Sequence, residues 1–212
     1  MRTIASTSLT IEHALLGFVY EHPVHGYEIY QRLSASNGLW QVWRLKQSQL
    51  YALLAKLEEA EYLAASLQPQ DARPPRKIYA LTEAGRRAFL HWVTTPVTHG
   101  RQIRIEFRAK LYFAQRQGPA VLGQLLEQQT VTCQQWLAVY QKQSSPEVEK
   151  NFFLYTAHQF RLSQIESFLN WLATCQQALA TQGEDDQGIH QTASSPPDSA
   201  HPNPPSSSTM DH

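Results

Sequence analysis

Leucines at positions 50, 53, 54 and 57 fall at i, i+3, i+4 and i+7, the spacing of one helix face. The stretch that carries them, QSQLYALLAKLEEAEYL, predicts the clearest helix of the front half. Two shorter helices are predicted before it. LTIEHALLGFVY has an apolar face of Leu9, Ile11, Leu15, Leu16 and Val19. HPVHGYEIYQRLSAS has apolar positions at Tyr27, Ile29, Tyr30 and Leu33, with Pro23 and Gly26 marking its approach. NGLWQVW, opened by a turn dipeptide, predicts a very short strand. After the third helix the period shortens. YLAASLQ predicts a strand, and KIYAL alternates, with Ile78 and Ala80 on one face and Lys77, Tyr79 and Leu81 on the other. Between them PQDARPPR is broken by Pro69, Asp71, Pro74 and Pro75. Thr82 predicts an N-cap, with Glu83 in the first turn of a helix that continues through EAGRRAFLHWV in spite of Gly85. The order is helix, helix, helix, hairpin, helix, over residues 8–95.

The rear of the chain reads differently. A connector, TTPVTHGRQ, leads into a helical region over 103–181. Residues 146–181 predict one long helix, with Pro146 in its first turn and Gly183 just past its end. Leu154, His158, Arg161, Ile165, Phe168, Leu172, Cys175 and Leu179 alternate steps of four and three, a heptad seam. Phe152, Phe153, Phe160, Leu169 and Trp171 widen its apolar surface, which calls for a second helix or a second subunit as cover. A dimer joined through Leu154, Ile165, Phe168, Leu172 and Leu179 is expected, with an intrachain helical hairpin as the plainer arrangement. Residues 182–212 hold Pro and Ser with few large apolar side chains, and a disordered tail is expected there.

The formal charge of zero conceals an asymmetry. Residues 1–116 hold fifteen Lys/Arg against nine Asp/Glu, and residues 117–212 hold three against nine. Only the front half is therefore expected to meet a polyanion. No apolar run approaches the roughly 18 residues of a membrane span, and the N-terminal stretch does not read as a signal peptide. Cys133 and Cys175 lie far apart without a CxxC, which fits a reducing cytoplasm. None of GxGxxG, GxxxxGK[ST], HExxH or GxSxG occurs, the carboxylates are scattered, and His22 and His25 flank a Pro-containing turn without other metal-ligand types nearby. No enzyme, cofactor or metal is expected.

Opposite the leucine stripe, the third helix presents Ser48, Ala52, Ala55 and Glu59, flanked by Gln49, Tyr51 and Lys56. Its acids, Glu58, Glu59 and Glu61, gather at the C-terminal end. A helix that enters a major groove by its N-terminal residues suits this distribution: amides pair with base edges and alanine permits close approach. Arg44 and Lys46 precede it, placed for phosphates. Arg73, Arg76 and Lys77 lie at the hairpin tip, stiffened by Pro74 and Pro75, where a ribbon reaches the minor groove or its phosphates. Three helices and a β-ribbon in this order form a winged helix-turn-helix. The competing expectation is a winged helix that uses the same face on a protein partner.

ALLGFVYEHPVHGYEIYQRL (14–33), SQLYALLAKLEEAEYL (48–63) and RPPRKIYALTEAGRRAFLHWV (73–93) resemble the PadR family of bacterial transcriptional regulators, in order and spacing. The helical region, with EFRAKLYFA, is similar to the family's C-terminal helical domain. The resemblance implies a mainly α protein: a homodimeric regulator, usually a repressor, binding an inverted-repeat operator in double-stranded DNA. Some members of that family bind a small flat aromatic effector between winged helix and dimer helices; Trp40, Trp43, Trp92, Phe107, Tyr112 and Phe113 cluster near that junction, where such a pocket is one expectation and plain aromatic core the favoured one. Carried over by position, Ser48, Gln49 and Tyr51 belong to the recognition helix and Arg73, Arg76 and Lys77 to the wing. Many members have Ser or Thr where this chain has Lys46-Gln47, so the helix is expected to start at Ser48.

Overall fold

The computed structural model describes residues 9–35, 39, 42–70, 73–143 and 145–192. The chain is mainly helical. The front module comprises α1 (Leu9–Tyr20), β1 (Val24–His25), α2 (Gly26–Ser34), α3 (Gln47–Glu59), the hairpin β2 (Leu63–Gln70) and β3 (Arg73–Leu81), and α4 (Glu83–Thr94). The three strands form an antiparallel sheet in the order β1-β3-β2, with Val24 opposite Tyr79 and Leu63 opposite Leu81. β1 has only two residues, too few for alternation to announce it. The strand expected in NGLWQVW is absent among its described residues: the amides of Val42 and Trp43 both donate to the Leu39 carbonyl at 2.8 Å, which makes a tight turn. The open edge of β3 is filled by β1 instead.

α1 is the centre of the module. Ala14, Leu15, Leu16, Phe18 and Val19 are all nearly inaccessible, because α3, α4 and a helix of the rear region enclose it. Leu50, Leu54 and Leu57 of α3 are buried against it, as their spacing predicts, and Leu53 is half-buried. The turn after α3 places Glu61 at φ 60, and the Thr82 hydroxyl donates to the Glu61 carbonyl at 2.7 Å. The same hydroxyl oxygen accepts from the Gly85 amide at 3.0 Å, the N-cap bond expected at the start of α4. Gly85 has a packing reason: a Cβ there would stand 2.1 Å from the Tyr62 carbonyl oxygen.

The rear region begins with α5 (Gly100–Gln102), passes through a π-helical turn (Ile103–Phe107) and continues as α6 (Arg108–Gln117). Gly118, at φ 109, ends it, and α7 (Pro119–Lys142) follows. The long helix expected over 146–181 is two helices, α8 (Pro146–Lys150) and α9 (Phe152–Thr192). Asn151 interrupts them in an extended conformation, and its Oδ1 accepts from the Leu154 amide at 3.1 Å, so it acts as the N-cap of α9. At the other end α9 runs to Thr192, into the stretch expected to be disordered from 182. Gly183 costs a helix only about 1 kcal/mol, and no proline removes a backbone donor before Pro196. Residues 193–212 lie outside the described residues.

The seam of α9 faces α7 of the same chain. Ile165 and Leu172 are 4% and 0% exposed, Phe168, Cys175 and Leu179 are half-buried, and His158 Nε2 donates to the Tyr140 carbonyl at 2.8 Å. Ile165 and Leu172 therefore have no surface left for a second subunit. The hairpin arrangement holds because α7 runs alongside α9 and covers the seam. Leu154 alone of the expected dimer residues is exposed, at 47%.

Three contacts fasten the two regions together. Gln129 of α7, fully buried, accepts from the Val97 amide at 2.8 Å and donates to the Val97 carbonyl at 3.2 Å. Lys110 of α6, also buried, donates to the Thr95 carbonyl at 2.7 Å and pairs with Glu106, which accepts from Trp92 Nε1 at 3.1 Å. Burial lowers the Lys110 pKa, and the Glu106 carboxylate opposes that shift. Arg116 forks onto Glu21 through bonds of 2.8–3.0 Å. The aromatic side chains near this junction are core, as the plainer expectation has it. Trp43, Trp92, Phe107 and Phe113 are core residues at 9% exposure or less, Tyr112 is half-buried, and Trp40 lies outside the described residues. Phe113 makes edge contacts with Phe18, Phe89, Trp92 and Tyr112.

Candidate nucleic-acid interface

α3 begins at Gln47, one residue before the expected Ser48, without a Ser or Thr cap. Gln49 supplies the missing function: its Oε1 accepts from the Lys46 amide at 3.0 Å. One amide oxygen is thereby committed to the helix end, and the Nε2 donors of Gln49 remain for a partner. Ser48, Gln49, Tyr51, Ala52 and Ala55 are exposed, as are Arg44 and Lys46 ahead of the helix. The acids of α3 stand only at its C-terminal end.

Tyr51 is 39% exposed and leans on α2, where a Cβ at Gly26 would stand 2.6 Å from its ring. Glycine at this position lets α2 and α3 close on each other. Tyr27, counted from its spacing as an apolar position, is 55% exposed. It joins Tyr51, His25, Gln31 and Arg76 around an open cleft of about 650 Å³ between the two helices and the ribbon. Tyr27 and Gln31 belong to this surface although sequence reasoning passed them over. Their i, i+4 spacing on α2 was the available signal.

The ribbon presents Arg76 and Lys77, both exposed, beside α3. Arg73 pairs through its backbone with Gln70, and its side chain lies outside the described residues. Two of the cations assigned to the DNA-facing surface already have carboxylate partners. Lys77 Nζ lies 2.9 Å from Glu58, and that hydrogen bond raises its pKa above the ordinary lysine value. Lys56 Nζ lies 2.6 Å from Glu12, which is 4% exposed, so Lys56 neutralises a buried carboxylate on α1. The two histidines serve the fold: Arg32 donates to His22 Nε2 at 3.0 Å, and His25 Nδ1 lies 3.2 Å from the Lys77 carbonyl. No metal-binding group of three or more His, Cys, Asp or Glu occurs among the described residues.

The charge excess of the front half is also redistributed by the fold. Residues 1–95 hold ten Lys/Arg against eight Asp/Glu, and residues 96–116 hold five against one. Most of the positive excess therefore sits on α5, the π turn and α6, behind the winged module.

A family model described as the transcriptional regulator PadR-like family matches residues 15–91, and one described as virulence activator alpha C-term matches residues 103–180. A probable transcriptional regulator of Mycobacterium tuberculosis is 29% identical over 93 residues, which are 44% of this chain and 48% of that protein. The negative transcriptional regulator PadR of Bacillus subtilis is 27% identical over 103 residues, 49% of this chain and 56% of that protein. The chain thus spans about half the length of the curated relatives it matches. The crystal structure of Bacillus subtilis PadR in complex with operator DNA has a TM-score of 0.40 and 23% identity, covering 80% of this chain and 98% of that one.

Proposed function

We propose that this protein is a cytoplasmic regulator that binds double-stranded DNA as a homodimer, acting as a repressor on an inverted-repeat operator; the match of residues 15–91 to the model of the transcriptional regulator PadR-like family supports the reading. The observation that carries the reading is the face of α3: Ser48, Gln49, Tyr51 and Ala52 are all exposed, no acid interrupts them, and Arg76 flanks them on the ribbon. A twofold pair of such helices would read two half-sites about one DNA turn apart. The surface that would join two copies is the first turn of α9. Phe152 and Phe153 are 81% and 75% exposed, with Leu154 and Tyr155 beside them, and apolar rings so displayed favour a covering partner.

A fluorescence-anisotropy titration of the full chain on random duplex at two salt concentrations tests the DNA reading. Binding is expected at low salt. Its logarithm should fall against the logarithm of salt with a slope of only a few phosphate contacts, since Lys56 and Lys77 are already paired. No binding at low salt would sink the proposal and leave a protein partner for the same face.

A further inference from the structure

Five cations stand in residues 96–116, and two of them, Lys110 and Arg116, have carboxylate partners on Glu106 and Glu21. Arg101, Arg104 and Arg108 have no carboxylate partner among the described residues, and neither does Arg161 of α9. All four are exposed. They border one trough, made of two adjoining clefts of about 340 Å³ and 830 Å³, between the α5–α6 segment and α9. Arg101, Arg161 and Gln164 are common to both clefts, and no carboxylate lines either one. Glu106, on the same helical run, is turned the other way, toward Trp92 and Lys110.

Rings stand between these charges. Phe160, Gln164 and Trp171 lie four and seven residues apart, so they share a face of α9, about a quarter turn from the seam that α7 covers. Phe160 is 63% exposed, and Trp171 is half-buried, its ring nearly perpendicular to that of buried Phe107 with centroids 5.9 Å apart. Trp136 and Tyr140 of α7 line the smaller cleft. The π-helical turn Ile103–Phe107, a geometry that occurs frequently at functional sites, puts Arg104 and Ile105 on the lining. Four like charges facing one space repel one another, and the folded state carries that cost without a counter-charge of its own. Exposed rings set among guanidinium groups make a surface that tracks a phosphate backbone while bases stack on it. A duplex does not suit it, because paired bases stack on one another and turn no face outward. With Phe160 largely in water, the trough fits a chain lying along it better than a small molecule enclosed by it. From Phe160 to Trp171 α9 rises about 16 Å. That is room for about five nucleotides stacked at about 3.4 Å each, and their linking phosphates, about four, would match the four arginines.

We propose that the trough between the α5–α6 segment and α9 binds a single strand of nucleic acid, its phosphates held by Arg101, Arg104, Arg108 and Arg161 and its bases stacked on Phe160 and Trp171. The site lies off the winged face, and it stands or falls independently of the duplex reading.

Fluorescence anisotropy of the full chain with labelled oligothymidylate and oligouridylate octamers tests it. Both should bind saturably at low salt. The logarithm of affinity should fall against the logarithm of salt with a slope of about 3, from about four phosphates at about 0.7 each. The tighter of the two octamers identifies unpaired DNA or RNA as the strand. Arg104→Ala with Arg108→Ala should weaken binding about tenfold or more and halve that slope. Phe160→Ala should weaken it about fivefold or more and leave the slope unchanged, since it removes stacking alone. Arg76→Ala, on the ribbon, should leave single-strand affinity unchanged. Octaglutamate, with similar charge and no rings, should compete only at about tenfold higher concentration than unlabelled octamer. Unchanged melting by circular dichroism would show the variants folded. Failure of either octamer to bind saturably would overturn the proposal. So would equal affinity in the double alanine variant or an indifferent Phe160→Ala. Octaglutamate competing as well as the octamer would also overturn it and mark the trough for an acidic protein segment. A loss in Arg76→Ala as large as in the double variant would do the same by placing the strand on the winged face.

Discussion

α3 and α9 both carry apolar side chains at steps of three and four, yet the stripes serve different ends. In α3 the stripe sinks Leu50, Leu54 and Leu57 into a core built around α1, and the opposite face is left small, polar and exposed. In α9 the seam is covered by α7, and the large apolar side chains that remain exposed, Phe152, Phe153, Leu154, Tyr155 and Phe160, lie toward the helix start. Periodicity tells which residues share a face. It does not tell which neighbour covers that face, because a helix of the same chain and a helix of a second copy ask for the same pattern. The lesson is that a free surface is found in what lies outside the stripe: Ser48, Gln49 and Tyr51 on α3, Phe152 and Phe153 on α9.

The sharpest way to break this comparison is to charge the two parts of α9 separately. Leu172→Asp puts a carboxylate where exposure is 0% and should cost several kcal/mol, on the order of 4, by desolvation and lost packing. Thermal melts should show the helical region failing before it yields a clean monomer. Phe152→Asp with Phe153→Asp lies on the exposed turn and should leave the melt within about 1 kcal/mol while halving the mass seen by light scattering. The opposite pattern would return the seam to the subunit interface.

Next in size, Gly85→Ala forces a methyl group against the Tyr62 carbonyl and should cost about 3 kcal/mol. Urea unfolding would measure it, and a neutral result would mean that the α3–β2 turn is softer than its bonds to Thr82 imply. Gln129→Ala leaves the Val97 amide and carbonyl without partners in a buried place and should cost about 2 kcal/mol. Hydrogen exchange at the Val97 amide should accelerate with it. The smallest effect is expected at the interface. Glu58→Gln releases Lys77 and removes one acid from the end of α3, so duplex affinity should rise a few-fold and the salt slope steepen by about one contact. Unchanged affinity would take Lys77 out of the DNA-facing set.

The local pattern made the front module legible. Helix spacing and Thr82 each reported a feature that the fold then uses, and the resemblance supplied their order; the prolines expected to break a loop lie instead within the strands, Pro69 in β2 and Pro74 and Pro75 in β3. Features that depend on distant partners escaped it. β1 exists because β3 offers an edge, not because two residues alternate. Asn151 reads as an ordinary polar residue until its side chain caps α9. Gly85 looked like a flaw in a helix and is required by a carbonyl twenty-three residues earlier. At the interface, residue type identified cations but not their neighbours, so Lys56 and Lys77 looked available before Glu12 and Glu58 were found beside them. Summed charge located the positive half of the chain, but not the α5–α6 segment within it that holds most of the excess.

Gln129 gives the architecture a mechanical property. By taking both hydrogen bonds of Val97 it imitates an adjoining strand, and the peptide leaving α4 is gripped by the middle of α7 at a single point. Any tilt of α7 would therefore pull on that peptide directly, at the point where the chain leaves α4.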